Sequence, residues 1–431
     1  MRRIPLFLTA FLLTTAVFGQ KTGLKKANRL FKEEKYATAI PYFKKVLSQK
    51  NNQLVKTKLA LCYKLTNQLK EALSLYEEII RHPRAKSKTY YYYAETLMSL
   101  GKYEEAKIWF QKYASIEVED ENVHKMIASC DFAKTIPPFF GDVVIRAFQQ
   151  NSDEDDTAPV FWDKGIVFTS DRKGKLKFLD TKSGVTNRNH LRLYHSKQLA
   201  DGSFDKPTEY ISRFNDARKN TGMATFQEDG SSIIFTRNGT HLNKQNAYCL
   251  QLFEAISEKA KHWQKPKLLS FCNRQSNYMH PALSPNGKLL FFVSDKPGGL
   301  GGTDIYMSKK TKKGWSKPQN LGNVINTQAN EGFPFVHQNG TLYFCSKGHL
   351  GLGGYDIFST RQLENGEWEK PTNLGSPINS PSDDISIFIS KNRDKGVFTS
   401  SREGGDDDIF IFEFGKNSSF LPQTVDTTQI K

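Results

Sequence analysis

Two internal repeats of unlike period divide this 431-residue chain, and together they predict an α-helical solenoid followed by an all-β propeller. Alanines recur at Ala27, Ala60, Ala94 and Ala128, in steps of 33, 34 and 34. Tryptophans recur at Trp263, Trp315 and Trp368, in steps of 52 and 53. A period near 34 is that of stacked helix pairs; a period of about 40–50 with strand signals is that of propeller blades. A third observation separates the halves: Ile136-Pro137-Pro138-Phe139-Phe140-Gly141 ends the helical pattern and predicts a linker over 136–141.

The length allows two well-buried cores. Lys and Arg number 61 against 45 Asp and Glu, a formal charge of +16. Arg2 and Arg3 precede an apolar stretch over 4–18, and Val17 and Gly19 put small residues where a signal peptidase cuts. This predicts a signal peptide over 1–19 and a processed chain beginning at Gln20; the other reading is an uncleaved anchor. The stretch is short for a spanning helix, and no later run reaches the roughly 18 apolar residues that one needs. The five cysteines, Cys62, Cys130, Cys249, Cys272 and Cys345, are odd in number and show no CxxC spacing. Buried free thiols are expected for most of them. Whether Cys249 and Cys272, which fall in one blade, pair is left open.

Residues 20–135 predict three helix pairs, roughly 22–50, 54–82 and 88–116, then a lone capping helix over 121–134. A second small residue follows each alanine by twelve (Ala39, Ala72, Ala106), and an aromatic follows by four more (Phe43, Tyr76, Phe110). Small residues let paired helices approach, and the aromatics fill the space between pairs. Pro83 stops a helix, Leu100-Gly101-Lys102-Tyr103 makes a tight turn, and Pro41 is expected near a helix start.

These recurring positions resemble tetratricopeptide repeats over about a quarter of the chain. The resemblance implies a concave face, made by the first helices, that binds peptides. Mapped by repeat position, Asn28, Phe31, Thr57, Leu61, Lys64, Tyr91, Glu95 and Met98 line it. Within the run 90–93, Tyr90 and Tyr93 are expected in the core, with Tyr91 as the groove anchor. Residues 20–54 carry nine Lys and Arg against Glu33 and Glu34. That surplus is read as a solvated face or as a surface for an acidic partner or an anionic envelope polymer such as peptidoglycan.

Beyond residue 141, β-branched and aromatic runs alternate with turn clusters. Five units follow, each opening with a short apolar segment such as Ala158-Pro159-Val160, His280-Pro281-Ala282 or Phe333-Pro334-Phe335. The last unit stops after its third strand, while an orphan strand, 143–148, precedes the first. Pairing the two removes both open edges. A closed five-bladed propeller is therefore expected over 142–414, with a disordered tail over 415–431. The Ser284-Pro285-Asn286-Gly287 turn, the stretch 294–306 and the WxKPxNLG segments resemble the TolB-like, WD-like propeller repeat. Its repeated Asp (Asp304, Asp356, Asp408) is read as a turn acceptor within each blade.

Tetratricopeptide repeats followed by such a propeller behind a signal resemble Bacteroidota envelope proteins, some of which support type IX secretion and gliding. The resemblance implies a periplasmic scaffold, peripheral to the outer membrane, with envelope proteins as partners. An OmpA-type domain follows in several of them, and this chain is expected to lack it. Residues just before each first strand are expected to ring one mouth of the propeller channel: Asp155, Asp156, Asn220, Asn277, Tyr278, Asn330, Glu331, Asp383 and Asp384. That ring is read as a site for a cation or a basic segment, or else as turn caps. No GxSxG, HExxH, P-loop or helix-opening GxGxxG is present. The chain is accordingly expected not to be an enzyme, to need no cofactor and to bind no nucleic acid. The alternative is a carbohydrate-active propeller, lyase or glycoside hydrolase, using carboxylates such as Asp156, Glu331 and Asp383, or a glycan-binding protein.

Overall fold

The computed structural model describes residues 23–136, 143–174, 188–215, 218–243, 248–258, 262–404 and 406–414, in two compact units. The expected signal over 1–19, all of the linker but Ile136, and the tail over 415–431 lie outside these residues.

The first unit is a helical solenoid. Helix α1 spans 23–32 and pairs with α2 (Tyr36–Gln49); α3 (Gln53–Leu65) pairs with α4 (Leu69–Ile80); α5 (Ser87–Ser99) pairs with α6 (Tyr103–Ala114); α7 (Glu121–Thr135) follows. Asn52 caps α3 by accepting the Val55 N–H at 3.2 Å. Ala27, Ala60 and Ala94, then Ala39, Ala72 and Ala106, are completely buried, as are Phe43, Tyr76 and Phe110. At these nine positions spacing translates into packing, because a larger residue at an alanine would separate the helices. The spacing misleads at Ala128, which is exposed; α7 buries Val123, Ser129 and Cys130 instead. A lone helix has no second helix of its own pair for that alanine to meet. Pro41 is the sixth residue of α2 rather than part of its first turn.

The second unit is a five-bladed propeller. Each blade opens on an inner strand: Asp156–Trp162, Thr221–Phe226, Tyr278–Leu283, Glu331–Val336 and Asp384–Ile389. Antiparallel second and third strands follow in every blade. The fifth blade uses Asp384–Ile389, Lys395–Ser400 and Asp408–Phe414, and its outer strand is Val143–Ala147, paired from Val143↔Phe414 to Ala147↔Phe410. The sheet therefore joins strands more than 260 residues apart, with Arg146 and Glu413 ion-paired across it. The second strands Gly165–Ser170, Leu289–Ser294 and Leu342–Ser346 are buried almost throughout, as befits strands with sheet on both faces.

Every inner strand carries the same irregularity. Ala158, Met223, His280, Phe333 and Ser386 have φ of 52°, 50°, 52°, 49° and 54°, and the register shifts there in all five blades. These are β-bulges that redirect the second half of the strand. Four of the bulge N–H groups bond to a side chain on the preceding blade's second strand: Ala158 to Thr399, Met223 to Thr169, His280 to Thr236 and Ser386 to the Cys345 sulfur. The fifth equivalent position is Val293, which has no acceptor. There the His280 ring substitutes, its Nδ1 accepting the Phe333 N–H at 3.3 Å. Burial lowers the His280 pKa to about 3, so the ring is neutral and Nδ1 stays an acceptor at ordinary pH.

The glycine-rich stretches before the third strands are clearance devices. A Cβ on Gly301 would stand 2.3 Å from the Thr327 carbonyl oxygen, and one on Gly353 would stand 2.0 Å from that of Pro381. Asp304 accepts the Leu300 and Gly301 N–H groups, and Asp356 those of Leu352 and Gly353. All five cysteines are free thiols, Cys249 and Cys272 included.

Candidate functional site

The polar ring expected at a channel mouth is built into the seams between blades. Asp156, Tyr278, Glu331 and Asp384 are no more than 1% exposed and line nothing. This corrects their assignment as mouth residues. Each carboxylate closes the loop that leads into its own strand. Asp156 accepts the Ser152 N–H and hydroxyl, Glu331 those of Thr327, and Asp384 those of Ser380. Asp156 also holds Arg172, and Asp384 holds Arg402, each at 2.6 Å. Burial pushes the carboxyls of Glu331 and Asp384 upward, against the hydrogen bonds and, at Asp384, the Arg402 charge.

The residue before each inner strand ties one blade to the next. Asp155 accepts the Asp407 N–H at 3.2 Å, Asn220 that of Leu191 at 3.0 Å, Asn277 that of Leu250 at 2.9 Å and Asp383 that of Tyr355 at 2.6 Å. Asn330 instead accepts the Thr303 hydroxyl at 3.4 Å and forms a parallel backbone bridge with that residue. Of the carboxylates named for glycosidic chemistry, Asp156 and Glu331 close the loops into their own strands, and Asp383 ties blade four to blade five. Asp408, at the seam of blades five and one, is raised to about 6 by burial and by Asp156, Glu403, Asp406 and Asp155.

The concavity lies at the opposite ends of the inner strands. A cavity of about 520 Å³ is walled by the segments just past the five bulges. Its walls are aromatic. Trp162 stacks on Phe226 with ring centroids 4.3 Å apart; Phe335 lies 4.5 Å from Phe388; Phe161 meets Phe388 edge-on at 5.9 Å. All five rings are half-buried. The Trp162 indole N–H is satisfied by the Tyr210 hydroxyl at 3.0 Å, leaving its face apolar. At the rim, Glu228 of blade two reaches Lys391 of blade five, and Gln338 of blade four donates to the same carboxylate at 3.5 Å. Lys395 stands over the Phe161 ring, 5.6 Å from its centroid. The sequence held a signal for this site. Pro159, Pro281 and Pro334 lack an N–H, which marks strands with one unpaired edge, the innermost of each blade.

In the solenoid, first-helix residues form a partly exposed polar face. Lys58 donates to Asn28 at 2.6 Å and lies over the Phe31 ring. Lys64 pairs with Glu95 at 3.0 Å between α3 and α5. Thr57 and Leu61 lie on the same helix as Lys64, and both are partly exposed. Met98 is buried in the core, which corrects its place in a groove. Tyr91 is half-buried, packed on Phe110 and Tyr113, and burial raises its hydroxyl pKa. Tyr92 reaches toward Lys64 instead. Among the described residues, no three His, Cys, Asp or Glu side chains are placed to hold a metal, and no helix is long and apolar enough to cross a membrane.

Comparison with known proteins agrees with the two-part architecture. The family described as anaphase-promoting complex, cyclosome, subunit 3 matches residues 32–113, a repeat region of tetratricopeptide type. No curated protein sequence matches the chain. Among solved structures, the C-terminal tetratricopeptide domain of a Plasmodium falciparum FK506-binding protein is 18% identical, with a TM-score of 0.24, covering 26% of this chain and 85% of that one. An α-L-arabinofuranosidase from Lactobacillus brevis is 9% identical, with a TM-score of 0.38, over 64% of this chain and 96% of that one. A puromycin-hydrolysing peptidase of Mycobacterium tuberculosis is 12% identical, with a TM-score of 0.33, over 59% of this chain and 36% of that one. The last two correct the expectation, drawn from missing motifs, that the chain is not an enzyme, since enzymes are among its propeller neighbours. At these scores the likeness carries no particular reaction to this chain.

Proposed function

We propose that this chain is an interaction scaffold of a bacterial cell envelope, exported to the periplasm and peripheral to the outer membrane, where it serves a type IX secretion, gliding or related complex. The two-part architecture of solenoid and propeller fits a protein-interaction scaffold. The observation that carries the reading is the first-helix face of the solenoid, where Asn28, Lys58, Lys64 and Glu95 stay partly exposed beside a core that buries Ala27, Leu59, Ala60 and Ala94. Such a surface binds a partner segment through polar and cationic contacts without disturbing the core. The basic N-terminal pair of helices suits an acidic protein or an anionic envelope polymer. Export rests on the sequence pattern over 1–19.

In-cell crosslinking with mass spectrometry tests the scaffold, comparing intact protein with a chain lacking 20–135. The expected result is envelope partners lost on deletion. Retention of every partner overturns the role given to the solenoid. Fractionation of the native cells tests the location, and recovery from the cytosol contradicts it.

A further inference from the structure

The propeller cavity has walls and a charge pattern that define a ligand, independently of any partner of the solenoid. We infer that it binds a small organic anion with an aromatic or aliphatic body, its head held by Lys395 and Lys391 and its body laid among Phe161, Trp162, Phe226 and Phe388. A volume of about 520 Å³ falls within the range of small-molecule sites, which run to about 300–1,000 Å³ and are mostly apolar with a few placed polar groups.

The sign of the head group follows from the rim. Lys395 stands over the Phe161 ring at the wall. Among the described residues no carboxylate pairs with it. A cation beside an apolar wall, with water partly excluded, gains most from an anion that brings its own apolar body. The second cation, Lys391, is already occupied by a carboxylate of the chain itself. Glu228 crosses from blade two to meet it, and Gln338 of blade four supports the same carboxylate. Glu228 therefore holds the place of the ligand's head and leaves it when the ligand enters. The cavity contains an anion position filled by a displaceable internal anion and a neighbouring cation left over.

The test uses the full chain and three probes of one shape: 4-phenylbutyrate, 4-phenylbutanol and 4-phenylbutylamine, with affinity read by titration calorimetry. The expected order is anion tightest, alcohol weaker, amine weakest. Lys395→Gln is expected to reduce phenylbutyrate affinity about fivefold to tenfold and to leave phenylbutanol within about twofold. Glu228→Gln, which frees Lys391, is expected to tighten phenylbutyrate. Phe388→Ala is expected to weaken all three probes. Melting curves of each variant confirm that it is folded; since Lys395 and Glu228 lie at the rim, their substitution leaves the fold intact. Binding of the amine as tight as that of the acid, phenylbutyrate affinity unchanged in Lys395→Gln, or no binding of any probe at millimolar concentration overturns the inference. A loss of partners with the solenoid deletion leaves this result untouched, so the two proposals fail separately.

Discussion

The two ends of the inner strands use their residues in opposite ways. At the N-terminal ends stand the polar residues, five pairs from Asp155 and Asp156 to Asp383 and Asp384, and nearly all of that polarity is turned into the seams. At the C-terminal ends stand aromatic residues, and they are left half-open around a cavity. Polar residues at one repeat position are the means by which five blades close into a ring. Aromatic residues left partly exposed at another line the cavity to which the anion proposed above is assigned.

Substitutions separate the two ends, and the largest effect belongs to the polar one. Asp384→Ala removes the partner of Arg402 and the acceptor for two Ser380 donors in a fully buried place. It is expected to destabilise the propeller by about 3–5 kcal/mol, the range for breaking a buried ion pair. Phe388→Ala, at a half-buried wall position, is expected to cost about 1–2 kcal/mol, less than a fully buried Phe. Denaturant unfolding measures both, and equal losses would erase the contrast.

A smaller effect concerns the one seam that departs from the pattern. His280→Ala leaves the Phe333 N–H without an acceptor and is expected to cost about 1–3 kcal/mol. Adding Val293→Thr supplies the hydroxyl that three of the other four blades have, and should recover part of that loss. A double variant no more stable than His280→Ala would show that the Thr positions do not hold the bulges.

The smallest effect is a pH dependence at Asp408. Its folded pKa of about 6 lies above its ordinary value, because burial and neighbouring carboxylates disfavour the charge. Its contribution to stability is thus full below the unfolded value near 4 and is lost as pH rises through about 6. Asp408→Asn is expected to raise the melting midpoint at pH 7.5 and to give little gain at pH 4. A gain that is larger at pH 4 contradicts this account.

The repeats made the fold legible because helix pairs and blades each impose a spacing that survives divergence. Ala27, Ala60 and Ala94 carry that information as buried contacts, and Ala128 does not, because spacing alone cannot tell whether a partner helix lies opposite. The candidate site was far less legible. A carboxylate before a strand looks the same in sequence whether it faces a channel, like the ring that was expected, or caps a loop, as Glu331 does with Thr327 and Ser346. The aromatics at Phe161, Phe226 and Phe388 look like core residues until the bulges turn their strand ends outward. The backbone torsion at Ala158 or Ser386 leaves no mark in the residue type, and only the recurring proline after the bulge hints at it.

The central claim is that the polar ring joins blades. Residue-resolved hydrogen–deuterium exchange on Asn277→Ala tests it most directly, because Asn277 accepts the Leu250 N–H across the seam of blades two and three. The account predicts faster exchange at Leu250, by about tenfold, with the amides of Leu191 and Tyr355 at the other seams unchanged. Exchange at Leu250 equal to that of the unsubstituted protein would contradict it and return these residues to the solvent.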